Sequence, residues 1–135
     1  MKSLGMSGTR NGLSDKQKII ARKWFQSCYD NGYREFHHGD CVGSDAECAK
    51  IAKEIGYRII AHPPTNPALR AFFEGNDVIL PEKTYMKRNR DIVNSVNSML
   101  FFPKQSHEPK ELKGGTWQTY KYADSINKSL QIIYA

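Results

Sequence analysis

At 135 residues, 39% hydrophobic and 25% charged, the chain has apolar material for one core and no room for two, so a single domain over residues 1–135 is expected. No apolar run approaches the ~18 residues of a membrane span, and the opening MKSLGMSGTR lacks the long apolar stretch of a secretory leader. No membrane partner is expected, and the cytoplasm is the expected compartment. A net charge of +6 points to an anionic partner, either a nucleic acid or a phosphorylated small molecule, against the plainer reading of a solvated basic surface.

Along the chain, short apolar runs alternate with amphipathic ones. Ser3–Met6 reads as a first strand running into the turn residues SGTRNG. Ser14 and Gln17 form a capping box that opens a helix with Ala21, Trp24, Phe25 and Cys28 as its buried stripe, and Asn31–Gly32 ends it. REFHH is a second strand and GDCVG a loop. SDAE is a second capping box, from Ser44 to Glu47, ahead of a helix packed through Cys48, Ile51, Ala52 and Ile55 with Gly56 as C-cap. YRIIAH is a buried parallel strand, and the stretch PPTNPALRAFFEGND is irregular, with three of the six prolines. VIL pairs at an edge. TYMKRNRDIVNSVN is a helix with Tyr85, Ile92, Val93 and Val96 inward, followed by the strand SMLFFP. A polar loop leads to Gly114–Gly115, a last helix carrying Trp117, Tyr120 and Ala123, and the closing strand SLQIIYA.

This order predicts an α/β, Rossmann-like fold: a mostly parallel sheet with helices on both faces. Ligands of such sheets bind beyond the carboxyl ends of the strands, where the strand order reverses. The residues at those ends are therefore the candidates. Gly8 permits close backbone approach, Thr9 follows it, and Arg10 can pair with a phosphate; the competing reading is a surface turn. Gly39 and Gly43 bracket a loop, and Ser44 opens a helix whose positive end suits an anion. Asp40 and Asp45 suit ribose or base donors, or serve as partners for Arg10 or Arg88; Asp45 and Glu47 alternatively only favour the helix N-terminus. Arg88 either turns into the cleft or is solvated. Gly114, Gly115 and Thr116 cradle a phosphate or, on the plainer reading, only turn the chain with Thr116 as helix cap. Three glycine-containing turns at strand ends of one sheet favour phosphate cradling. Trp117 can stack on a base but has core spacing.

His37 and His38 are adjacent at a strand end, so they face opposite sides of the sheet. Structural histidines are favoured there over a metal site with His62 and Cys41. The three cysteines, Cys28, Cys41 and Cys48, include no Cys-x-x-Cys pair and form no disulfide framework. No metal and no cofactor are expected.

Together, GTR, HHGDCVGSDAE, IAHPP, YMKRNRDIV and GGTWQTYKYA, in that order, resemble the SLOG superfamily over nearly the whole chain. The resemblance is to its small, single-domain, nucleotide-binding Rossmann-like branch, related to the LOG phosphoribohydrolases and the DNA-processing proteins. It implies a ligand-binding set of Gly8, Thr9, Arg10, Gly39, Asp40, Gly43, Asp45, Arg88, Asn89, Gly114, Gly115 and Thr116, to which the helix start at Ser44 adds a further candidate. It also implies a nucleotide or nucleotide-derived ligand, signals of ADP-ribose type among them, and pairing as a homodimer. In the hydrolases a longer glycine turn is followed by a glutamate three residues after the threonine. Here one turn residue is missing and Thr119 holds the glutamate's place, so binding without hydrolysis is expected. An N-glycosidic hydrolase would have to draw on Asp40, Asp45 or Glu47. A binder of single-stranded nucleic acid is the third reading.

Overall fold

Ser14 accepts a hydrogen bond from the Gln17 backbone while the Gln17 side chain accepts one from the Ser14 backbone. This is the capping box read from the sequence. It starts the first helix of a computed structural model that describes residues 2–135. The elements are β1 (Lys2–Gly8), α1 (Asp15–Asp30), β2 (Tyr33–His38), α2 (Ser44–Ile55), β3 (Arg58–Ala61), a 3-10 turn (Pro67–Leu69), β4 (Val78–Ile79), α3 (Tyr85–Ser95), β5 (Ser98–Phe102), α4 (Gly115–Ser125) and β6 (Ser129–Ile132).

The six strands form one sheet in the order β4-β3-β2-β1-β5-β6, and every pair is parallel. The chain winds outward from β1 to β4, returns to place β5 on the other side of β1, and continues to β6. The order therefore reverses between β1 and β5. Period-two alternation sends successive strand residues to opposite faces. Leu4, Met6, Phe36, Ile59 and Phe102 pack with Ala21, Phe25, Cys48 and Ala52 of α1 and α2. Met99 and Phe101 pack on the other face with Ile92, Val93 and Val96 of the α3 segment and Ala123 of α4. Gly5 also faces that side, where a Cβ would run into Val96 and Met99.

Two local expectations change. Trp24 is 39% exposed although it sits at apolar spacing. The buried α1 face is Gln17, Ala21 and Phe25, because the Gln17 amide donates to Pro103 O at 2.9 Å and Ile133 O at 2.8 Å beyond the ends of β5 and β6. The second capping box does not form either. Gly43, at φ 92°, is the N-cap of α2, with no side-chain cap. Glu47 instead accepts from Leu13 N at 3.1 Å and pairs with Lys18 at 3.5 Å, holding the loop ahead of α1.

Candidate ligand-binding cleft

Gly8 at the end of β1 and Phe102 at the end of β5 are register partners, so the turns that follow them diverge from one point. Between these turns lies an open cavity of about 440 Å³. One wall is Gly8, Thr9, Arg10 and Asn11; the other is Pro103, Lys104 and Gln105 with the segment from Lys113 to Trp117, and Tyr85 of α3 closes the side. Six of the residues read as ligand-binding from the sequence are brought together here: Gly8, Thr9, Arg10, Gly114, Gly115 and Thr116. Sequence reasoning missed Asn11, Lys104, Gln105 and Lys113; the two lysines flank a loop read only as a polar connection.

The N-terminus of α4 faces this cavity uncapped. Gly114 is the N-cap at φ 95°, and no side chain caps the helix, so Thr116 is not the cap. The first intrahelical bond at this end is Gln118 N to Gly114 O at 3.0 Å. The N–H groups of Gly115, Thr116 and Trp117 are left for a ligand or water. No carboxylate lines the cavity, whereas Arg10, Lys104 and Lys113 do. The field of three cations and a helix N-terminus is uniformly positive, though Lys113 is also paired with exposed Glu111 at 2.7 Å. Trp117 is 2% exposed and donates Nε1–H to Gln105 Oε1 at 3.2 Å, so it is a core residue with no face free for a base. Thr119, also buried, donates its hydroxyl to Gly115 O at 2.8 Å.

Behind Tyr85 lies a second, inner chamber of about 20 Å³, reached by Gly39, Cys41, Asp45, Arg88 and Asn89. Arg88 is 3% exposed. Its Nη1 donates to Gly39 O at 2.5 Å and to His62 O at 3.1 Å, and its Nε donates to Asn89 Oδ1 at 2.8 Å. Asn89 thereby orients the guanidinium. Nη2 meets only Cys41 Sγ at 3.5 Å. Asp45 accepts from Cys41 N at 3.2 Å, and its burial raises its pKa against the opposing pull of Arg88 and His38. A helix N-terminal field favours ionisation here, and desolvation is the larger effect. Burial and the Asp45 charge also push up the Cys41 thiol.

The remaining sequence candidates make contacts away from the outer cavity. Asp40 is fully buried, and its carboxylate accepts from Arg70 Nε at 3.0 Å, Arg70 Nη2 at 2.8 Å and Phe73 N at 3.0 Å. Its ionic partner is Arg70, not Arg10 or Arg88. Ser44 is buried, and its N–H and hydroxyl both donate to Thr9 O, at 3.1 and 2.7 Å. Gly43 packs against the Arg10 backbone. The start of α2 therefore props up the first turn and does not open into the cavity. Glu47, on α2, accepts from Leu13 N and holds the loop ahead of α1.

The two strand histidines face opposite sides, as the alternation requires. His37 Nδ1 meets His62 Nε2 at 2.8 Å on one face, while His38 bonds Asn76 at 2.7 Å and Asp40 N at 3.0 Å on the other. Burial lowers the pKa of all three, to about 3 for His62. Among the described residues no group of three His, Cys, Asp or Glu is placed to hold a metal ion.

No family model and no curated protein matches the chain. Solved structures do. The molybdenum cofactor binding protein of Rippkaea orientalis superposes with a TM-score of 0.75 at 16% identity, over 99% of this chain and 77% of that one. The molybdenum cofactor carrier protein of Chlamydomonas reinhardtii gives 0.71 at 17%, over 98% and 76%. DNA processing protein A of Helicobacter pylori, a protein described for its single-stranded DNA binding mode, gives 0.70 at 15%, over 97% and 64%. At such identities the likeness is one of fold: the chain has the α/β Rossmann-like fold of these structures, the fold that its motifs predict.

Proposed function

We propose that the chain binds a nucleotide or a nucleotide-derived small molecule, with the ligand's phosphate on the first turn of α4. The observation that carries this reading is the free N–H groups of Gly115, Thr116 and Trp117, facing a cavity lined by three cations and no carboxylate. Such a helix end supplies both donors and positive potential to an anion. A cavity of about 440 Å³ has the size of a small-molecule site. Gly8 and Thr9 form the floor, and Arg10 neutralises charge from the opposite wall. Arg88 and Asn89 sit one layer deeper. Asp40, Gly43, Ser44 and Glu47 belong to the scaffold in this reading, and Thr119, turned onto its own helix, leaves binding without hydrolysis. Molybdenum cofactor proteins among the similar structures lend support to a small-molecule ligand. The reading includes a cytoplasmic protein that pairs as a homodimer.

The test is calorimetric titration with AMP, ADP-ribose and inorganic pyrophosphate. Arg10→Ala should weaken the best of them by about 1.5–3 kcal/mol, as loss of a charged hydrogen bond does, and Lys16→Ala should change nothing. Equal affinity in Arg10→Ala would remove the outer cavity as the site.

The DNA processing protein among the similar structures, with the net charge of +6, favours single-stranded nucleic acid as the second reading. Affinity for an oligonucleotide would then fall steeply and log-linearly with salt. A shallow salt dependence alongside nucleotide binding excludes it.

A further inference from the structure

The outer cavity and the inner chamber share three lining residues, Gly8, Arg10 and Tyr85. Gly8 offers only backbone and Arg10 is exposed, so the side chain that separates the two spaces is Tyr85. Its ring lies over the Arg88 guanidinium, 5.2 Å from charge to centroid. Its hydroxyl rests on the Gly114–Gly115 turn so closely that a Cβ at position 115 would overlap it. The missing Cβ of Gly115 leaves the space that the Tyr85 hydroxyl occupies. At Gly114, by contrast, nothing lies within 4 Å of a would-be Cβ, and the requirement is the positive φ alone. The Tyr85 hydroxyl has no hydrogen-bond partner among the described residues.

The sizes of the two spaces differ by more than tenfold. About 20 Å³ holds one water, and about 440 Å³ holds a small ligand. Arg88 supplies an independent sign that the inner chamber expects an oxygen. It is a buried cation with no carboxylate in ion-pair reach, and its Nη2 meets only a thiol. Asp45 acts on this charge only from beyond ion-pair distance, and the buried Nη2 lacks an oxygen acceptor, which a polar atom arriving there would supply.

We propose that Tyr85 determines ligand specificity, as a partition that keeps a phosphate-ended ligand in the outer cavity and admits only a single oxygen atom, from water or a ligand hydroxyl, to Arg88. Its hydroxyl, poised over the first turn of α4, donates to the anion seated there. The ligand class is then a diphosphate or phosphomonoester whose bulk stays in the outer cavity, and a pentose ring is kept away from Asp45 and Arg88. This inference rests on the phosphate reading of the α4 turn.

The experiment is calorimetry on the full chain with two probes, inorganic pyrophosphate and ribose 5-phosphate. Tyr85→Phe keeps the ring and removes only the hydroxyl, so pyrophosphate should bind about tenfold more weakly. Tyr85→Ala opens the partition, so the affinity for ribose 5-phosphate relative to pyrophosphate should rise at least about fivefold over wild type. Melting curves check that both variants are folded. Pyrophosphate binding that is unchanged in Tyr85→Phe, or a probe ratio that is unchanged in Tyr85→Ala, overturns the partition and leaves the phosphate reading standing. A wild-type protein that binds neither probe overturns both.

Discussion

Asp40 has a left-handed backbone, φ 52°, and a carboxylate with no exposure to solvent. A non-glycine residue held this way is kept there by its contacts. Its carbonyl accepts from Ala71 N at 2.8 Å, and its two carboxylate oxygens take Arg70 and the Phe73 backbone. Asp40 thereby ties down the middle of the irregular, proline-rich stretch, whose one helical element among the described residues is a three-residue 3-10 turn. Breaking a buried pair by removing one partner costs about 3–5 kcal/mol, and Arg70, partly exposed, can turn to water. Asp40→Ala should therefore destabilise by about 2–3 kcal/mol in urea titration. A loss under about 1 kcal/mol would mean that the stretch holds itself. The sequence put an acceptor at position 40, for ribose or base donors or for Arg10 or Arg88. The real partner lies thirty residues further on, in a segment with no periodicity, and no local spacing rule reaches that far.

At the scale of elements, Gln17 shows what a hydrophobic-pattern reading leaves out. It occupies a fully buried position on α1, and its amide ties the ends of β5 and β6 to the helix. Gln17→Ala leaves two buried carbonyls unpaired and opens a small void, so it should cost about 2–4 kcal/mol in thermal or urea unfolding. Gln17→Leu restores volume but not the donors, and should recover less than half of that. If Leu restored full stability, packing alone would be the role. The capping box at Ser14 was legible because both partners lie within one turn. The matching pattern at Ser44 was not a cap, because Thr9 arrives from another strand end to take the Ser44 hydroxyl. The glycines of the α4 turn were legible as a turn. That its N–H groups face open space depends on where the loop from Lys104 to Lys113 lies, which no motif encodes. Tyr85, read as a core residue, instead sits in the cleft, since the inward stripe of α3 begins only at Arg88.

For the molecule as a whole, the alternation of strands and helices was written in the sequence. The position of β1 between β2 and β5 follows from tertiary pairing and was not, yet the residues at the strand ends already marked the edge at which the proposed site lies. The proposed homodimer is checked by light scattering at tens of micromolar protein, where a monomeric mass counts against it. A further whole-molecule consequence concerns pH. His37, His38 and His62 are held neutral, each with its pKa lowered chiefly by burial. In the unfolded chain they protonate near the ordinary value of about 6.5, so unfolding takes up protons below that pH. Their share of stability is complete above about pH 6.5 and is lost as the pH falls toward the folded values. Asp45 acts in the opposite sense, because its raised pKa adds stability at low pH that is lost as the pH rises through it. Three groups outweigh one, and each histidine contributes at most about 1.4 kcal/mol per pH unit. The urea-derived stability should therefore drop by about 2–4 kcal/mol between pH 7 and pH 5. His62→Gln, which keeps a donor toward His37 but cannot titrate, should flatten that slope. A stability independent of pH over this range would show that the histidines open to solvent and protonate within the native fold.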